Sequence, residues 1–75
     1  MQNIEIVPVN NSTAIRKIMF DHNKSLLYVQ FKNSPNYTYK VDEAVFNEFK
    51  NAESKGSFFQ EFIKPNFEKI DRLDN

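Results

Sequence analysis

The alternation of apolar and polar positions divides the chain into an extended half and a helical half. From Leu26 to Phe31, Leu27, Val29 and Phe31 point one way while Leu26, Tyr28 and Gln30 point the other, which is the period of a strand. Lys32-Asn33-Ser34-Pro35-Asn36 follows as a turn, because Pro presets φ and Asn tolerates unusual backbone angles. Tyr37–Val41 alternates again, with Tyr37, Tyr39 and Val41 on one face and Thr38 and Lys40 on the other. Upstream, Ala14–Phe20 carries apolar side chains on both faces: Ile18 and Phe20 on one, Ile15 and Met19 beside Lys17 on the other. Such a strand is either covered on both sides at one end or re-aimed by a bulge. The polar loop 21–25 has hairpin length, so the three segments predict an antiparallel meander. Ile4–Val7 alternates imperfectly before Pro8, which is confined to edges and strand ends; this predicts a fourth, edge strand or an ordered arm.

At Asp42 the period becomes helical. Asp42 is placed to cap a helix, Glu43 suits the positive end of its dipole, and Val45, Phe46, Phe49 and Ala52 form one stripe. Gly56, the only glycine, sits just past that stripe, where a left-handed C′ residue is expected. Ser57 and Gln60 read as a capping box for a second helix carrying Phe58, Phe59, Phe62 and Ile63, which ends before Pro65. Phe67, Ile70 and Leu73, with Glu68 and Arg72 spaced for an ion pair, predict a short third helix or a frayed tail. The apolar face of the meander is the only surface large enough to bury the helical stripes. The fold class is therefore α+β: three or four antiparallel strands with two C-terminal helices packed on one face. Residues 9–67 form the domain, 1–8 an arm or edge strand, and 68–75 a tail.

Composition narrows the function. Seventy-five residues make one domain, and a chain this short buries only about 60–65% of its unfolded surface, leaving little room for a deep catalytic cavity. Eight Phe and three Tyr supply a dense core. With no cysteine there is no disulfide framework and no thiolate metal site. The opening MQNIEIVPVNN has neither a basic region nor a long apolar run, and no stretch is apolar enough to span a bilayer, so a soluble cytoplasmic protein is expected.

Net charge is zero, but the charges are segregated. Residues 14–40 carry five cations against Asp21, a balance of +4, while residues 41–75 carry five cations and eight anions, a balance of −3. A basic sheet face follows, weaker than the overall basicity of typical nucleic-acid binders.

Each candidate chemistry has a plainer counterpart. Tyr37 and Tyr39, interleaved with cations, would stack bases if exposed, with Arg16, Lys17, Lys32 and Lys40 on phosphates. The shared parity of Tyr39 and Val41 favours the other outcome, burial of the rings beneath the helices. The elbow Ser54-Lys55-Gly56-Ser57 offers a helix N-terminus and a lysine to an anion, or is simply a cap. His22 has only Asp21 as a neighbouring acid and reads as a solvated loop residue. No catalytic set, metal-ligand cluster or cofactor motif stands out, so neither a cofactor nor a metal is expected.

With these segments in hand the chain resembles the KTSC family, named for the C-terminal region of some lysyl-tRNA synthetases. The likeness rests on Ser12-Thr13-Ala14-Ile15 running on to Ile18, Phe20 and Asp21, on the Leu27–Phe31 strand, and on Tyr37-Thr38-Tyr39 as a Tyr-x-Tyr signature. It rests also on Ala52-Glu53-Ser54-Lys55-Gly56-Ser57-Phe58-Phe59 with the trailing Ile63-Lys64, similar to the family's A-x-S-x-G-x-F/Y-F segment. Residues 9–67 are covered. Met19 stands where Gly is common, Phe20 where Tyr is common, and Pro35 where the turn usually has Gly. The resemblance implies a small domain found alone or as an appendage, with no established activity and an association with a tRNA synthetase that points to RNA. The expected function is thus a non-catalytic binding module for tRNA-like or single-stranded RNA; the alternative is a protein-interaction module using an exposed strand edge.

Overall fold

The computed structural model describes residues 3–10 and 12–70. The extended half folds as β1 (Ile4–Pro8), β2 (Ile15–Asp21), β3 (Leu26–Phe31) and β4 (Tyr37–Lys40), each antiparallel to the next. A fifth strand, β5 (Lys69–Ile70), pairs with β4 and completes the order β1-β2-β3-β4-β5. The expected three or four strands are therefore five. The segment expected to be a third helix or a frayed tail is extended at Lys69–Ile70, where its backbone pairs along the edge of β4. Leu73 and the Glu68–Arg72 pair involve positions outside the described residues.

The ambiguity in β2 is resolved by a bulge. Ile15 pairs with Phe31 but Lys17 pairs with Gln30, so the register shifts between them. That one-residue shift turns Ile15 to the same side as Ile18 and Phe20, and all three are buried. Leu27, Val29, Tyr39 and Val41 complete the sheet's share of the core.

Asp42 caps α1 (Glu43–Asn51) as expected, its Oδ1 accepting the Val45 N–H at 3.0 Å. Phe46 and Phe49 are fully buried, and Phe46 stacks on Phe20 with ring centroids 4.7 Å apart. The joint to the next helix differs from expectation. Ala52 leaves α1 in an extended conformation, Ser54 rather than Ser57 is the N-cap, and its Oγ accepts the Ser57 N–H at 3.3 Å. Gly56 lies inside α2 (Lys55–Phe58) and does not have a positive φ. An extended exit makes a left-handed residue unnecessary.

Helical backbone then continues through a π-helical stretch, Phe59–Ile63, into α3 (Lys64–Asn66), past the expected stop at Pro65. In a straight α-helix the Pro ring would clash with the carbonyl four residues back. Here the preceding turn is widened, with the Lys64 N–H donating to Phe59 O, and a wide turn relieves that clash. Phe59 and Ile63 are buried from this helix, with Phe59 set edge-on to Phe31 and Tyr39.

Candidate nucleic-acid interface

The helices cover one face of the sheet; the register defines what the other face presents. Ile6, Met19, Tyr28, Thr38 and Ile70 pair in succession and form a row across all five strands. One flanking row contains Lys17 and Gln30, the other Leu26 and Lys40. Tyr28 is the aromatic ring of the central strand on this open face. Its parity was legible, since it alternates away from Leu27 and Val29, but the Tyr-x-Tyr pair drew the stacking role elsewhere.

Carboxylates are scarce here. Asp21 falls in the row with Leu26 but is buried, and its Oδ1 accepts the N–H groups of Asn23 at 2.9 Å and Lys24 at 3.2 Å. It closes the β2–β3 turn. Glu5 has the opposite parity to Ile6 and is engaged by Lys50 at 2.9 Å and His22 at 3.1 Å. Lys17 and Lys40 thus stand on rows whose one strand-paired carboxylate is the buried Asp21, while the exposed Glu68, one residue before β5, continues the β4–β5 register towards Lys40.

The other sequence-selected residues are dispersed. Arg16 is exposed at the bulge. Lys32 lies in the β3–β4 turn and donates from Nζ to Ser12 O at 2.7 Å. Tyr37 is half-buried on the helix side, between the Phe31 ring at 5.2 Å and Lys69 Nζ at 4.2 Å. Tyr39 is 3% exposed and packs on Phe59; burial, then its neighbour Tyr37, pushes its phenol above the ordinary value. Neither ring belongs to the open face, so the stacking role expected of Tyr37 and Tyr39 is corrected: they share parity with core residues Leu27 and Val29, opposite which they pair.

The elbow is also rearranged. Lys55 turns its Nζ back onto Ala52 O at 2.8 Å, where it satisfies the end of α1 rather than facing an anion. Ser54 and Ser57 line a cleft opposite Ser12 and Thr13, which brings together two segments that the sequence reading singled out separately. His22 is no solvated loop residue. Its side chain is 17% exposed, its ring lies edge-on to Phe20 at 4.8 Å, and Nδ1 stands 3.7 Å from Glu43 Oε2. Among the described residues there is no group of three or more His, Cys, Asp or Glu arranged to hold a metal, and no helix long and apolar enough to cross a membrane.

Comparison with known proteins fixes the family. The KTSC domain matches residues 11–67, a span that holds β2 through α3. The chain belongs to the KTSC family. The crystal structure of a KTSC domain protein from Yersinia pestis superposes with a TM-score of 0.82 at 32% sequence identity, covering 96% of this chain and 100% of that one. None of the curated proteins matches the chain. In this KTSC domain the matched segment includes Tyr28, Lys17 and Lys40 together with both walls of the cleft, and leaves out the edge strands β1 and β5.

Proposed function

We propose that this KTSC domain is a non-catalytic module that binds single-stranded RNA on the open face of its sheet. The observation that carries the reading is the position of the half-buried Tyr28, on the central strand, with Lys17 and Lys40 on the two flanking rows. A ring in this setting is a stacking platform contributing about 1–3 kcal/mol per base. Lysines at the margins neutralise phosphates and make binding depend on salt. Gln30 and Thr38 beside the ring offer hydrogen bonds to base edges or ribose.

The test is an amide-shift NMR titration with short oligouridine and with tRNA at roughly 50 mM salt, where the electrostatic contribution is large. Shifts should cluster on Lys17, Tyr28, Thr38 and Lys40 and fade as salt rises. Tyr28→Ala should weaken binding about 5- to 150-fold, the equivalent of one lost stack, while leaving the fold intact. Absence of binding at low salt, or binding indifferent to Tyr28→Ala, would sink the reading.

A second reading has its own observation. β5 occupies the edge of β4, but among the described residues no strand pairs with the outer edge of β1, and Ile4 and Ile6 beside it are 40% and 58% exposed. A partner strand added there would bind with a shallow salt dependence and shift β1 rather than Tyr28.

A further inference from the structure

On the helix side, at the turn end of the sheet, Ser12–Ile15 and the first turns of the second helix face each other across a cleft of about 360 Å³. A second cleft of about 260 Å³ adjoins it and shares Ala14, Phe31, Phe59 and Gln60. Together they form one groove. One end is hydroxylic, with Ser12, Thr13, Ser54 and Ser57; the middle is walled by Phe31 and Phe59; the far end carries Tyr37 and Lys64.

The chemistry of the lining is directional. Ser12 Oγ accepts the N–H groups of Ala14 at 3.2 Å and Ile15 at 3.1 Å, so both its lone pairs are engaged and it has only its O–H to offer. Ser54 Oγ likewise accepts from Ser57. Lys32 Nζ donates to Ser12 O at 2.7 Å without lining the groove itself, and Lys64 is the cation that lines its far end. No carboxylate lines either part of the groove among the described residues. Donors and a cation without acids call for an acceptor-rich, negatively charged group. The aromatic walls call for a flat apolar body.

Gly56 supplies an independent observation. Its φ is not positive, and a methyl group on it would come no closer than 3.7 Å to Ser12 Oγ, an ordinary contact. Alanine would therefore fit, and alanine is the better helix former. Neither backbone conformation nor packing accounts for glycine here. What the missing side chain does provide is space in the cleft that Gly56 lines.

We propose that this groove binds a small molecule in which an oxyanion, phosphate or carboxylate, is joined to a flat aromatic body. The oxyanion sits among Ser12, Thr13 and Ser54, and the ring lies against Phe31 and Phe59. The site is separate from the open sheet face and does not depend on RNA binding.

The experiment is an amide-shift titration with adenosine monophosphate, N-acetyl-phenylalanine and inorganic phosphate in turn, each to about 10 mM, where even a millimolar site fills. Saturable shifts at Ser12, Thr13, Gly56 and Gln60 with a ring-bearing probe, and weaker ones with phosphate alone, are expected. Which ring-bearing probe binds tells phosphate from carboxylate. Thr13→Ala should weaken binding without changing Tm. Gly56→Ala should raise Tm yet weaken binding, and Gly56→Leu should lower affinity by about tenfold or more. No saturable shifts with any probe, shifts confined to Tyr28 and Thr38, or affinity unchanged in Thr13→Ala and both Gly56 variants would overturn the proposal. Shifts confined to Tyr28 and Thr38 would support nucleotide binding at the open face instead; the other outcomes leave RNA binding at Tyr28 untouched, because it is read at different amides.

Discussion

Glu5 ties three elements together from the first strand. Its Oε2 meets Lys50 of α1 and its Oε1 meets His22 of the β2–β3 turn, which itself approaches Glu43. The Lys50 hydrogen bond first, and the His22 bond second, hold the Glu5 carboxyl below its ordinary value of 4.5. A carboxylate depressed in the folded state stabilises it above the unfolded value, and that contribution is lost as pH falls through the folded one. Glu5→Gln should therefore lower Tm near neutral pH, and the gap to the parent should close on acidification below 4.5. Thermal melts across pH measure it; a gap that persists into acid would mean that charge is not what Glu5 contributes. None of this network was legible in the chain, because Glu5, His22, Glu43 and Lys50 are distant in sequence and only the folded register brings them together. Tyr39 was legible, since its parity with Val41 already favoured the core. Tyr28 was visible in the same alternation, half-buried on the side that the described helices leave uncovered.

At the scale of elements, strand and first-helix positions followed from local chemistry, and the joints did not. Asp42 and the Val45–Phe46–Phe49 stripe set α1 by capping and period, both local properties. The bulge in β2 was visible as apolar residues on both faces, though only pairing decided between a bulge and two-sided cover. At the second helix two serines three residues apart were equally good caps by composition. The extended exit at Ala52 made Ser54 the cap. Ser54→Ala should thus cost about 1 kcal/mol of stability, and Ser57→Ala, whose N–H keeps its Ser54 acceptor, should be close to neutral in denaturant melts. The reverse ranking would restore the cap to Ser57. Pro65 marks where a local rule was overridden: the π-helical stretch before it lets the helix pass a residue that ordinarily ends one.

For the molecule as a whole, the charge segregation read from the sequence has a spatial counterpart. Lys17 and Lys40 lie on the open face, while Glu43 and Glu48 belong to the helix covering the other. The family, the fold class and the helix-covered face were within reach of sequence. The number of strands was not, because two residues suffice for β5 and carry no pattern of their own. Strand order carries one more consequence, for the sequence of events in folding. β1 through β4 each pair with a chain neighbour across a short turn, so they can zip together locally, which favours rapid assembly. β5 reaches β4 only across the whole helical segment, bringing Ile70 to Thr38. It should be the last strand to dock and the first to detach. Hydrogen exchange at the β4–β5 seam should then proceed through a partial opening, sooner than at β2–β3; equal protection at both would mean that the sheet opens only as one unit.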